Sequence, residues 1–288
     1  MNIRTFSLAF VLFFLGLGLS GAEQVKDGFG KAQLPDSSVY EGNFKNGLFN
    51  GKGTLTRRDG ARYEGEFKDG LLDGKGLAIG SNGDKYEGEF KDGIANGKGV
   101  TTYATGDKYE GEYKDGYLNG KGIAIRHNGD RYEGEFKNNL LSGKGTLTRV
   151  NGDEYVGEFK DNAMSGKGIY TFASGYRYEG EFKDGNYNGK GTLTYPNGDK
   201  YKGEFKDNAM SGKGIYTFAS GYIYEGESKD GPYNGEGILT YPNGDKLEGK
   251  FNGRENVRGV FIKKDGTKSK GEMINGVWRT VKDKSGGF

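Results

Sequence analysis

The chain has no cysteine at all. That excludes disulfide staples, cysteine-based zinc sites and thiol catalysis. It has one histidine, His127, one tryptophan, Trp278, and four prolines. A lone histidine without cysteine cannot assemble the usual zinc ligand sets. Nor does charge of one sign dominate: 42 basic residues face 40 acidic ones in 288 residues, a formal net charge of +2. The basic stripe that nucleic acid asks for is missing, and no nucleic-acid partner is expected. Long apolar runs are absent too, apart from Phe6 to Leu19.

Arg4 precedes that run, and Ser20-Gly21-Ala22 and the polar Glu23 follow it. A short basic start, an apolar stretch and small residues before a cut are the parts of a secretory signal. The run is short for a spanning helix, which needs about 20 residues. Residues 1–22 are therefore expected to be a signal cleaved near Ala22, leaving a periplasmic or secreted protein. The alternative is an uncleaved signal that anchors the chain in a membrane. Gly16, Gly18 and Gly21 have the spacing G-x-G-x-x-G. A dinucleotide site needs that motif between a strand and a helix, and here it lies inside the signal. No cofactor is expected.

Glycine, by contrast, is abundant: 56 residues, nearly three times the usual share of about 7%. With 20 tyrosines and 18 phenylalanines, the chain is unlike disordered segments, which lack aromatics. The glycines and rings recur together. Tyr40, Tyr63, Tyr86, Tyr109, Tyr132, Tyr155, Tyr178, Tyr201 and Tyr224 are each 23 positions apart. Leu247 continues the series. Glycine follows two positions later, from Gly42 to Gly249. Four positions later come Phe44, Phe67, Phe90, Tyr113, Phe136, Phe159, Phe182 and Phe205, then Ser228, then Phe251. A Gly-Lys-Gly triplet recurs in phase, as at Gly51-Lys52-Gly53. Glu158 to Tyr176 recurs identically as Glu204 to Tyr222, which points to growth by duplicated pairs of repeats. Residues 28–273 thus read as one array of about ten copies, the last one decayed. A short segment, 23–27, precedes it and a tail, 274–288, follows.

Within a copy, Tyr63-Glu64-Gly65-Glu66-Phe67-Lys68 alternates with period two, the strand signal. Tyr63, Gly65 and Phe67 share one face; Glu64, Glu66 and Lys68 share the other. Asp69-Gly70 is a turn signal, a second short strand is expected near Lys75 to Ile79, and Asn82-Gly83-Asp84 turns the chain back. Each copy is therefore a β-hairpin. Since a lone hairpin is marginal in water, the hairpins are expected to stack, tyrosine beside tyrosine. The fold class is all-β: an elongated, twisted, single-layer antiparallel sheet. About ten such hairpins, at ~4.8 Å per strand, would extend roughly 95 Å before twist. Solution scattering of such a rod should give a radius of gyration near ~27 Å, against ~18 Å for a compact globule of this length. A value near the lower figure would refute the open sheet.

At these residues the sequence closely resembles the MORN repeat family. Its unit reads Y-x-G-x-[FWY]-x-x-G-x-x-x-G-x-G, and stands here as Tyr86-Glu87-Gly88-Glu89-Phe90, then Gly93, then Gly97-Lys98-Gly99. The resemblance implies a single-layer twisted sheet. It also implies roles in protein–protein contact, self-association or acidic phospholipid binding. Some members carry a lipid kinase or methyltransferase domain beside their repeats, and the array here leaves no room for one.

Other chemistry reads as surface. His127 aligns with Pro196 beside a turn. The pairs Glu64/Glu66, Glu87/Glu89, Glu110/Glu112, Glu133/Glu135 and Glu179/Glu181 form a ladder, whereas acid–base catalysis asks for one constellation with separated pKa values. The phosphate-loop pattern G-x-x-x-x-G-K-[ST] fails at Gly70, Gly74, Lys75 and Gly76 on both spacing and the last residue. No catalytic or metal residue is expected, and the chain reads as non-enzymatic. The candidate site is the aromatic face: Tyr63, Phe67, Tyr86, Phe90, Tyr109, Tyr113, Tyr132, Phe136, Tyr155, Phe159, Tyr178, Phe182, Tyr201 and Phe205. A single layer has no second sheet to cover it, so part is expected to stay open, and open apolar patches mark interaction sites. Two readings follow: a scaffold that binds another protein or a second copy of itself, or a module that binds glycans by ring stacking or acidic lipids by its lysines. Near-neutral charge weakens the lipid reading, at about 1 kcal/mol per nearby Lys or Arg.

Overall fold

The computed structural model describes residues 26–229, 231 and 233–281; the expected signal lies outside them. Among the described residues 23 strands, all antiparallel, belong to one sheet. The described residues divide into two compact units, those up to 150 with 159–162, and 151–158 with those from 163 onward. Strand Glu154–Lys160 is split between them. Each unit is a meander of hairpins in chain order.

A copy consists of a seven-residue tyrosine strand, such as Lys85–Lys91, and a nine-residue glycine strand, such as Ile94–Thr102. The tip between them is Asp92-Gly93, with φ of +48° and +78°. Two positive φ values in a two-residue loop match the right-handed twist of the flanking strands. That is why Asp-Gly recurs here. The return loop Ser81-Asn82-Gly83 closes on Gly83.N donating to the Gly80 carbonyl (2.9 Å), with Gly83 at φ +86°. The Asn82 side chain accepts from Asp84.N (3.1 Å), the local bond that makes asparagine a turn residue.

The glycine strand starts earlier than its alternation suggested. It begins at Leu71 rather than near Lys75, and the register slips between Gly65 and Phe67. Gly65 faces Gly76 while Phe67 faces Leu72, so the glycine strand carries extra residues in a bulge. The Gly-Lys-Gly triplet is therefore bulge and mid-strand. Strand also continues into the expected tail: Lys268–Ile274 pairs with Val277–Thr280.

In each unit the mid-strand glycines face one another across successive strands. Gly53 faces Gly65, Gly76 faces Gly88, and Gly88 faces Gly99. In the second unit Gly168 faces Gly180, and Gly191 faces Gly203. This glycine stripe is the floor of the core, and tyrosine rings lie flat on it. A methyl group on Gly99 would overlap the Tyr86 ring, and one on Gly191 the Tyr178 ring.

Successive copies are stapled along both margins. At the tips, Gly93.N donates to the Leu72 carbonyl of the copy before (2.8 Å) and Gly185.N to that of Met164 (2.9 Å). At the return loops, the turn aspartate accepts from a backbone N–H of the next loop. Ala104.N donates to Asp84 Oδ1 (2.8 Å), Val150.N to Asp130 (3.0 Å) and Ala173.N to Asp153 (3.0 Å). Where the aspartate is replaced by Tyr176 or Tyr222, the residue twenty on is Pro196 or Pro242. Proline has no N–H to satisfy, so acceptor and donor vanish together. Asp153→Ala should cost about 1.5–3 kcal/mol, since it strands a donor that bonds a charged group. It also removes the acceptor of the Tyr170 hydroxyl (3.1 Å). Urea melts should show that loss, while Glu154→Ala on the exposed face should shift the midpoint little.

Candidate functional site

The expected aromatic row shares the packed face within each unit, and it is closed. Thirteen of its fourteen rings are buried, Tyr86, Tyr178 and Tyr201 to 0% exposure. Only Tyr109 is half-buried. The expectation that part of this row stays open is not met, for a local reason. Where both rings are present, a tyrosine is packed edge-on between the ring of its own strand and that of the next copy: Tyr132 lies 5.1 Å from Phe136 and 5.0 Å from Phe159. Tyr178 is also stacked at 3.8 Å on Tyr187 of the glycine strand. The bulge completes the cover, because at the slip the tyrosine hydroxyl folds back to a carbonyl of its own strand. Tyr86 donates to Glu89 O (3.0 Å), Tyr155 to Glu158 O (2.9 Å) and Tyr178 to Glu181 O (2.9 Å). Burial, with the nearby Glu158 and Glu181 charges adding to it, pushes the Tyr155 and Tyr178 phenols up to about 12.

Tyr63 and Tyr109 depart from this. No tyrosine lies over Gly76 as Tyr86 lies over Gly99; the nearest groups there are Glu64 O, the Leu72 side chain and the edge of the Phe90 ring. Both tyrosines face an alanine in their hairpin, Ala78 and Ala124. Tyr40, Tyr132 and Tyr178 face leucine instead. The small partner leaves room toward the return loop, where Tyr109 meets Tyr103 at 5.5 Å.

The opposite face is open and charged. Arg62 bonds Glu64 (2.7 Å), Arg131 bonds Glu133 (2.6 Å) and Arg177 bonds Glu179 (2.7 Å), all about half exposed. Such pairs contribute about 0–1 kcal/mol each. Lysines and glutamates also face across strands, Lys75 with Glu89 and Lys190 with Glu204. In the first unit this face holds a shallow groove of 970 Å³ lined by Phe29, Lys31, Glu41, Lys52, Arg62 and Glu64. Among the described residues no group of three or more His, Asp or Glu side chains is placed to hold a metal ion. His127 sits in a return loop, 2.9 Å from Asp107 Oδ1 through its ring. Burial works against the Asp107 charge, yet the backbone and side-chain bonds from His127 prevail and hold its carboxyl below the usual range.

The family model for the MORN repeat matches ten segments: 40–62, 63–85, 86–108, 109–131, 132–154, 155–175, 178–200, 201–221, 224–246 and 250–268. These cover well over half of the chain. The protein belongs to the MORN repeat family. Its unit is the hairpin described above: the matched segments open on the tyrosine of each copy, except the last, which starts at Lys250. No curated protein matches the chain. Among solved structures, the TCP10 domain of zebrafish (Danio rerio) CPAP in complex with a STIL peptide is similar at 12% identity and a TM-score of 0.42, over 83% of this chain and 95% of that one. A streptogramin B lyase matches at 17% identity and a TM-score of 0.15, over 85% and 82%. At these scores neither likeness bears on fold or function here.

One set of rings escaped the sequence reading. Along the return-loop margin of the second unit, Phe172, Tyr176, Tyr195, Phe218, Tyr222 and Tyr241 form a second, partly open row. Tyr176 meets Tyr195 at 5.4 Å and Tyr222 meets Tyr241 at 5.5 Å. Its signal was the pairing of Tyr176 with Pro196 and of Tyr222 with Pro242, which has meaning only once successive loops are known to touch.

Proposed function

We propose that this MORN repeat protein is a non-enzymatic, exported array that presents a recurring surface to another protein. The observation that carries the reading is the repetition of what stays outside the core. Every 23 residues similar charged rows return on the open face, in shallow open grooves, while the buried rings are consumed by packing. A partner can then be held by many similar contacts, each weak alone. The balanced charge of the open face favours a protein over an anionic membrane surface.

Export rests on the segment from Arg4 to Ala22. Native protein should begin near Glu23; an intact Met1 on soluble cytosolic protein would refute that part. For the binding role, cross-linking followed by pull-down from the native compartment should recover a protein held by wild type. That protein should be lost when several open-face charges, such as Arg62, Arg131 and Arg177, are replaced together. Flotation with anionic liposomes, or retention on glycans, with no protein captured would favour the ligand-module reading instead.

A further inference from the structure

We infer that the outer edge of the first strand, Gly28–Gln33, is a docking site for an extended segment of another protein that reads Tyr-acid-Gly-Glu-aromatic and adds to the sheet as one more strand. The inference rests on the protein-binding reading above and on the expected cut after Ala22.

The array opens half a copy short. Shifted by 23 positions, Gly28-Phe29-Gly30-Lys31-Ala32 falls on Gly51-Lys52-Gly53-Thr54-Leu55, so Gly28–Gln33 is a glycine strand. In each following copy a tyrosine strand precedes the glycine strand. Among the described residues Gly28–Gln33 is the first strand and pairs with one neighbour alone, Val39–Lys45. The period would put the missing tyrosine, glycine and phenylalanine at positions 17, 19 and 21, where the sequence has Leu17, Leu19 and Gly21. A cut after Ala22 removes those positions and leaves Glu23-Gln24, the place of a hairpin tip, before the glycine strand. Such an edge offers N–H and C=O groups to a further strand, and no proline interrupts it.

The chain's own hairpins say what fits there. In one of them Tyr63 faces Ala78, Glu64 faces Leu77 and Gly65 faces Gly76, and Tyr63 is buried to 2% exposure. Ala32, Lys31 and Gly30 hold the positions of Ala78, Leu77 and Gly76. An added tyrosine thus meets the alanine it meets elsewhere, and an added glycine continues the stripe beyond Gly30 and Gly42. Lys31 makes the edge selective. Its position is uncharged in the next copies, Thr54, Leu77 and Val100. Here a lysine bonds Glu41 on one side (3.2 Å) and would face the first acid of the added strand on the other. The second acid has a donor as well. In the interior that glutamate accepts from the N–H of the central Gly-Lys-Gly residue, Glu135 from Lys144.N (3.3 Å) and Glu158 from Lys167.N (3.3 Å). At the edge the corresponding N–H belongs to Phe29, whose ring is 75% exposed. The last strand, Val277–Thr280, does not repeat this pattern, because Thr280 rather than a glycine faces Gly271. Main-chain bonds would hold the segment, and the alternate side chains would select it.

The test uses the purified mature chain and a labelled peptide with the sequence of residues 60–70, the Tyr63 strand with its flanking turns. Fluorescence anisotropy should show saturable binding, one peptide per chain. Tyr63→Ala in the peptide should weaken it ~10-fold or more, as loss of an aromatic anchor does. Gly65→Val in the peptide should do the same, because a Cβ at Gly65 meets backbone of the facing strand, Lys75 O and the Gly76 Cα. Lys31→Glu in the chain should weaken the wild-type peptide by up to ~5-fold, the size of a cross-strand charge pair. Glu64→Lys in the peptide should then restore binding to that variant. Lys31 is exposed, its side chain 66% so, and its replacement leaves the fold intact. On binding, hydrogen exchange should slow in Gly28–Gln33 and stay unchanged in Val277–Thr280. No binding, indifference to Tyr63 and Gly65 of the peptide, or failure of the charge swap overturns the inference. So does full protection of Gly28–Gln33 before peptide is added, which would mean that a second copy or the chain's own start already covers the edge. If the peptide fails while wild type and Lys31→Glu capture the native partner equally, the site assignment falls and the general reading stands. If wild type captures no protein, both fall.

Discussion

Gly88→Val is expected to destabilise the chain by about 3 kcal/mol or more, the upper end of what overpacking costs, while Glu87→Ala stays within about 0.5 kcal/mol. The two residues are neighbours, so the contrast isolates the face. A Cβ on Gly88 would lie 2.5 Å from the Gly99 Cα, 2.6 Å from Lys98 O and 2.7 Å from the Tyr86 hydroxyl. Two of those atoms are backbone and cannot rotate away. The requirement is steric rather than conformational, since Gly88 is not among the glycines at positive φ. Because an array is stabilised by each interface between neighbours, the damage should concentrate in the flanking copies. Hydrogen exchange should accelerate first around Gly76 and Gly99, and thermal melts should fall. Equal losses for both variants would contradict the assignment of tyrosine, glycine and phenylalanine to the packed face.

The second large effect is alkaline unfolding. Burial pushes the Tyr40, Tyr155, Tyr178 and Tyr224 phenols up to about 12, from an ordinary value of 10.0. Burial raises Tyr86 and Tyr132 as well. A folded-state pKa above the unfolded one means that the native chain keeps protons the unfolded chain gives up. This stabilisation is complete below pH 10 and is lost as pH rises through the folded values near 12. Many equivalent tyrosines act together, so the loss should be steep. Phenolate absorbance and circular dichroism should then change in one transition releasing several protons. Separate phenolate titration with an unchanged sheet signal through pH 12 would mean that the rings are solvated.

How much of this could be read in advance depends on the range of the interaction. Period, strand alternation and both loop types follow from residues within one copy: Asp92-Gly93 needs only its own positive φ values, and Asn82 bonds its own loop. The choice of which face is packed followed as well, because Tyr63, Gly65 and Phe67 alternate against Glu64, Glu66 and Lys68. The bulge beside Gly74 was not legible. It arises where one strand must satisfy a slipped partner on one side, Phe67 against Leu72, and a regular one on the other, Gly74 against Phe90. Closure of the aromatic row was missed for a related reason: the rings are covered by a neighbouring copy and by a hydroxyl folding back at the bulge, not by a second layer.

The sequence by itself determined that this is an all-β array of 23-residue hairpins of the MORN kind, because those signals are local and repeat ten times. Only the tertiary structure decided which rings are used up and which remain. Tyr86 and Phe90 vanish into the core because glycines leave a flat floor beneath them and adjacent copies wall them in. Tyr176 stays open and Tyr222 half-buried under Arg254 because they stand at the margin, at loops where the aspartate–amide staple is replaced by tyrosine and proline. Both sets look alike along the chain, and contact between copies separates them.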